Sequence, residues 1–182
     1  EIHETAIVHP DAEIGENVSV GPNSIIGAEV KIGSGTKVLA NVVLAGGVAI
    51  GENCVIKNNS TIGSESFKFI DVEDDVVYFP PLGSIHIGDR VWVGSNCTIE
   101  RPGLGATLIE NDVKLDDLVH VGQNSQIQGK AQIAAGTVLC RNCFIGSKAW
   151  IAPNSTISSD IKIGKNARVG LGSVILKDVS PS

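Results

Sequence analysis

An aliphatic residue recurs at every sixth position along most of this chain. From Ile2 the step runs through Val8, Ile14, Val20, Ile26, Ile32, Val38, Leu44, Ile50, Ile56 and Ile62. It breaks, resumes at Ile87, Val93 and Ile99, breaks again, and continues from Ile109 through Leu115 and Val121 to Ile175. The residue two before each stop is small or β-branched, as at Ala6, Val18, Ser24, Thr36, Cys54, Ala131 and Ser155. Residues two apart share one face of a strand, so each hexad offers one large and one small inward side chain. A glycine often follows the aliphatic (Gly15, Gly21, Gly94, Gly122), which suggests a corner with unusual backbone angles. A period of six does not fit an α-helix. Three hexads close a triangular coil of about eighteen residues, stacked at the roughly 4.8 Å strand spacing. The expectation is an all-β, single-domain parallel β-helix over residues 1–182, with about eight to nine coils.

The rest of the sequence fits a thin-walled solenoid. Glycine is abundant, aromatic residues make up only 4% and methionine is absent. Cys54, Cys97 and Cys143 fall at the small inward position and are expected to be buried and inert, whereas Cys140 falls at an outward corner. Cys140 and Cys143 form a lone CxxC without a second pair, so no zinc site is expected. A net charge of −6 argues against nucleic-acid or membrane-surface binding, which need a basic face. No apolar run reaches the roughly 18–20 residues of a membrane span. The opening EIHETAIVHP lacks the basic and apolar regions of a secretory signal, so a cytoplasmic protein is expected.

Two interruptions break the repeat. The first, residues 64–86, divides the coils into 1–63 and 87–179 and holds Phe67, Phe69, Tyr78 and Phe79. A loop this long inside a solenoid points to function, and its aromatics suit clamping an apolar chain or stacking on a base or sugar. The second, ERPGLGATL, is a smaller bulge at 100–108.

The interruptions carry a resemblance. SFKF at 66–69, FPPLG at 79–83, NCTIERPGLGATLI at 96–109 and KLDDLVHVGQNS at 114–125 resemble segments of the UDP-3-O-acylglucosamine N-acyltransferases of lipid A synthesis. That resemblance covers nearly the whole chain and implies a left-handed β-helix acyltransferase. The family carries its catalytic His where this chain has Gln123, and a Gln where this chain has His120. Its N-terminal uridine-binding domain and C-terminal helical extension have no counterpart in these residues. The resemblance therefore implies a relative acting on another amino sugar, like the short nucleotide-sugar N-acyltransferases that serve surface polysaccharides such as O-antigen and lipopolysaccharide. Such enzymes are homotrimers with sites between subunits, and take acyl-CoA or acyl carrier protein as co-substrate.

Acyl transfer to an amine needs a proton acceptor, oxyanion donors and alignment. His3 and His9 follow inward aliphatics in the first coils and read as surface residues. His120 precedes inward Val121 and should point outward, with Asp117 nearby in sequence to orient it; His86, closing the aromatic loop, is the second candidate base. Gln123 can donate to a carbonyl or hydroxyl, and Asn124 can hold the same wall. A base-free route, with a neutral amine and corner N–H groups as oxyanion donors, stays open. Lys148, Lys165, Arg168 and Lys177 are candidates for the phosphates of the acyl donor. A non-catalytic assembly subunit and a γ-carbonic-anhydrase-like metal enzyme are the competing readings.

Overall fold

A computed structural model describes all 182 residues. The chain winds into three parallel sheets. Sheet I has nine strands, from Ile7–Val8 to Val174–Ile175. Sheet II has eight, from Glu13–Ile14 to Lys162–Ile163. Sheet III has eight, from Ser19–Val20 to Arg168–Val169. Successive hexads visit sheets I, II and III in turn, which makes a triangular solenoid of about nine turns. Strand register keeps each large inward residue over its counterpart: Leu115 lies between Val93 and Ile133, and Val121 between Ile99 and Leu139.

One column of these aliphatics and their small partners forms the single core. Buried inward hydroxyls are satisfied locally: Ser24 Oγ donates to the Leu39 carbonyl at 2.7 Å and Thr36 Oγ1 to that of Gly51 at 2.8 Å. Cys54, Cys97 and Cys143 are buried and unpaired, while Cys140 is half-buried. Burial, reinforced by neighbouring Cys140, pushes the Cys143 thiol up to about 12. No helix is long and apolar enough to cross a membrane.

The corners correct one sequence expectation. Among the glycines that directly follow an inward aliphatic, only Gly63 has a positive φ. The others, except Gly170 in the last coils, are needed because the next coil lies too close: a Cβ on Gly21 would sit 2.7 Å from the Leu39 carbonyl carbon. The left-handed residue comes two positions later and is commonly Asn, as at Asn17, Asn53, Asn124 and Asn154, whose short amide tolerates that region.

Both interruptions emerge at the corner between sheets I and II, in consecutive coils. Strand Thr61–Glu65 runs past its hexad, bulges after Ile62 and pairs with Thr98–Arg101. The loop rejoins through strand Ser84–Ile87, so residues at both edges of the 64–86 break lie inside wall strands. Between them projects an antiparallel hairpin, Phe69–Val72 with Asp75–Tyr78. The smaller bulge supports it from below: Leu82 and Gly83 donate their N–H groups to the Gly103 and Pro102 carbonyls, each at 3.0 Å. Arg101 Nε donates to the Gly83 carbonyl at 2.6 Å.

Candidate active site

The same corner, one coil onward, carries the residues singled out around 120. Val121 faces inward at the end of its strand, so His120 faces outward on sheet I, between Thr98 and Val138. Its Nε2 lies 3.8 Å from Glu100 Oε1. The Glu100 side chain is only 16% exposed, and its second oxygen accepts the Gln123 N–H at 3.0 Å. Glu100 is thus held by the corner backbone with its other oxygen facing the imidazole.

Asp117 does not orient His120, contrary to the sequence expectation. It sits at the corner between sheets III and I, where it accepts from Lys57 Nζ at 2.8 Å and the Ser95 N–H at 2.7 Å. Those two bonds, Lys57 first, hold its carboxyl below the usual carboxylate range. Glu100 was missed because its partnership spans two coils. Its one sequence signal is its place at the start of the smaller bulge, directly after inward Ile99, and Glu110 and Asp116 put an acid at the same hexad position elsewhere.

The corner also forms a polar groove of about 290 Å³ lined by Lys68, Gln123, Asn124, Arg141, Asn142 and Asp160. Its floor is a ladder of corner residues. Asn142 N–H donates to the Gln123 carbonyl at 2.8 Å, Asn142 Nδ2 to Asp160 Oδ1 at 2.6 Å, and the Asp160 N–H to the Arg141 carbonyl at 3.1 Å. Asn124 N–H donates to Thr107 Oγ1 at 3.0 Å, which ties the groove to the smaller bulge. Gln123 is nearly buried at 8% exposure, and its side-chain amide has no partner in the protein. Arg141 forms no ion pair, and its own N–H is unclaimed. The groove therefore offers an amide donor and a guanidinium, and its lining residue Gln123 links it through Glu100 to the His120 imidazole.

The hairpin aromatics divide into two groups. Phe67, Phe69 and Tyr78 cluster outside the solenoid, with ring centroids 5.0 and 5.7 Å apart. Phe67 is 88% exposed. Tyr78 donates to Glu65 Oε2 at 2.8 Å. Phe79 instead packs on Gly103 under the Lys68 ammonium, 4.5 Å from the ring, and pins the loop.

His86 lies elsewhere. It sits on the outer face of sheet II beside Ala49 and Leu108, with Nε2 2.9 Å from Ser84 Oγ. It lines a second, wider groove of about 660 Å³ that runs to the corner between sheets II and III and holds Lys130 and Lys148. One subunit therefore does not bring both histidines to one substrate. The proposed phosphate ligands are likewise dispersed. Lys148 and Lys165 follow the corner between sheets II and III, Arg168 lies on the outer face of sheet III, and Lys177 follows the last strand of sheet I. No group of three His, Cys, Asp or Glu side chains converges as a metal site requires.

Comparisons with known proteins agree with the fold. Residues 142–177 match the family "Bacterial transferase hexapeptide (six repeats)", residues 84–116 "Hexapeptide repeat of succinyl-transferase", and residues 2–76 the "GMPPB C-terminal domain". The UDP-3-O-acylglucosamine N-acyltransferase of Leptospira biflexa is 45% identical over 78 residues, 43% of this chain and 22% of that protein. Its namesake in Chlorobium chlorochromatii is 43% identical over 77 residues, 42% of this chain and 21% of the relative. The matched stretch thus spans about a fifth of these curated relatives. Among solved structures, LpxA from Bacteroides fragilis, a UDP-N-acetylglucosamine acyltransferase, superposes with a TM-score of 0.90 at 26% identity. It covers 100% of this chain and 69% of its own. The UDP-N-acetylglucosamine acyltransferase of Francisella novicida gives 0.89 at 25%, covering 100% and 64%. The chain is a left-handed β-helix built of hexapeptide repeats, and the relatives and neighbours it resembles are acyltransferases.

Proposed function

We propose that this protein transfers an acyl group from a thioester, carried by CoA or acyl carrier protein, to the amine of a nucleotide-linked amino sugar. The observation that carries this reading is the His120–Glu100 pair, joined through Gln123 to a polar groove, at the corner where both loops emerge. The names of the relatives, N-acyltransferases acting on a UDP-linked glucosamine, support the substrate class.

The chemistry follows from the groups present. The sugar amine attacks the thioester carbonyl carbon, forming the C–N bond while its proton passes to His120. Glu100 stabilises the imidazolium that results. The oxyanion draws on the Gln123 amide and the Arg141 N–H, both unclaimed at this corner. Collapse breaks the C–S bond, and the thiolate leaves with the proton that His120 returns. The Arg141 guanidinium and the Lys68 ammonium suit the sugar nucleotide's diphosphate. Lys130 and Lys148, in the second groove beside His86, suit the phosphates of the acyl donor. Since the two grooves lie on different walls, we assign one to each of two neighbouring copies in a homotrimer. The outer row of sheet I supports the contact: Ile7, Ile25, Val43, Val138 and Val174 are interspersed only with threonines and His120, with no formal charge among the rest. Acyl-CoA and nucleotide sugars are cytoplasmic metabolites, and this reading places the enzyme there.

Incubation with acetyl-CoA and a panel of UDP- and dTDP-linked amino sugars, read by mass spectrometry, tests the reading. An acetamido product with one equivalent of free CoA thiol is expected for at least one sugar. CoA binding without turnover on any of them, with acyl carrier protein thioesters equally inert, would instead favour a non-catalytic subunit.

A further inference from the structure

Both tryptophans of this chain stand on one wall, sheet III, which faces away from the corner that carries His120. The outer positions of four consecutive strands there are Trp92, Lys114, Gln132 and Trp150. Three strand spacings put the indoles about 14 Å apart along the wall. Between them lies a cleft of about 340 Å³, within the size range of small-molecule sites. The indoles are 41% and 36% exposed, and neither N–H has an acceptor in the protein.

The floor between the indoles mixes Leu115, Ile133 and Ala134 with three polar residues and carries no available cation. Lys114 folds over so that its ammonium donates to the Arg90 carbonyl, leaving its aliphatic stem in the cleft. The Gln132 amide has no partner, and one oxygen of Asp116 accepts the Asp117 N–H while the other stays open. Trp92 is steadied from the side by Lys57, 6.0 Å from its ring and itself held by Asp117. Two aromatic plates, an amide, a carboxylate and two indole N–H donors match a ligand with apolar ring faces and hydroxyl edges. Open Asp116 and tied Lys114 disfavour phosphates and nucleic acid.

We infer that the cleft between Trp92 and Trp150 is a binding site for a linear, uncharged oligosaccharide a few units long. Sugar rings stack on the two indoles while their hydroxyls bond Gln132 and Asp116. The straight wall of the solenoid gives such a chain a flat track across the strands. This site is separate from the proposed acyl-transfer corner and does not depend on that activity.

The two tryptophans make the test direct, because all indole emission comes from this cleft. Chitotriose and cellotriose are titrated into the full chain while tryptophan fluorescence is followed. A saturable shift at millimolar sugar is expected for at least one of them. Trp150→Ala and Trp92→Ala should each weaken it about tenfold, the scale of one aromatic contact, and Gln132→Ala about threefold. Release of CoA thiol should be unaffected by Trp150→Ala. No saturable response to either sugar would overturn the proposal. So would an emission change that follows protein dilution alone, which would give the cleft to a second copy of the chain.

Discussion

At the residue scale, burial and local hydrogen bonds separate side chains that look equivalent in sequence. Of the four cysteines, three face the core, and the Cys143 thiol is pushed up to about 12. Iodoacetamide on the native protein at neutral pH should therefore label only Cys140, and Cys140→Ser should abolish labelling; modification of Cys54 or Cys97, whose thiols burial also raises, would contradict the packing. The Lys57–Asp117 pair behaves as a structural strut. Because the Asp117 carboxyl is lowered in the folded state, its contribution is present above the ordinary carboxylate value and lost as pH falls through the lowered one. Both partners are partly open to water, with side chains 29% and 43% exposed, so the contribution is at most about 1 kcal/mol. Thermal melts from pH 7 down to 3 should show Asp117→Asn less stable at neutral pH and less sensitive to acid than the parent. The two partners of Asp117 lie far off in sequence, at 57 and 95, which is why adjacency to His120 misled.

At the element scale, the unit is one hexad stacked on the hexads above and below it. The glycine after each aliphatic is set by that stacking, so its tolerance depends on whether another coil covers it. Gly21→Ala forces a methyl group into the Leu39 backbone and should cost about 1–3 kcal/mol in denaturant unfolding. Gly170→Ala, where only Ser173 Oγ lies within 4 Å, at 3.5 Å, should change stability by less than about 1 kcal/mol. Equal effects at both sites would mean that backbone angle, not close approach, selects glycine here. Inward and outward positions were legible from the six-residue step alone, because alternation and burial enforce it in every strand. The hexad step also marked both interruptions. That they stack at one corner, with Arg101 and Phe79 locking one onto the other, depends on contacts between coils that no local pattern records.

At the scale of the whole molecule, each coil touches only its neighbours, and the outer faces of the three walls are free to differ. Sheet I is nearly uncharged outside, sheet II carries His86 and the lysine-bearing groove, and sheet III carries the tryptophan cleft. A homotrimer joined through sheet I should sediment as one species at micromolar concentration. Ile25→Lys, at a position 42% exposed in the single chain, should drive it toward monomer without altering the far-ultraviolet spectrum. A trimer that survives this charge would move the interface to another wall. The sequence marked His120 but not its partner. Glu100 meets the imidazole because strand Thr98–Arg101 stacks on His120–Val121 and runs past its hexad into the smaller bulge. On the proposed function, His120 and Glu100 together move the proton in acyl transfer. The most direct measurement is the steady-state rate of CoA thiol release with the cognate amino sugar, for the parent, His120→Ala and His86→Ala. A loss of about 10²-fold or more in kcat for His120→Ala, with His86→Ala within a few-fold of the parent, is the result predicted. Parental kcat in His120→Ala would contradict it.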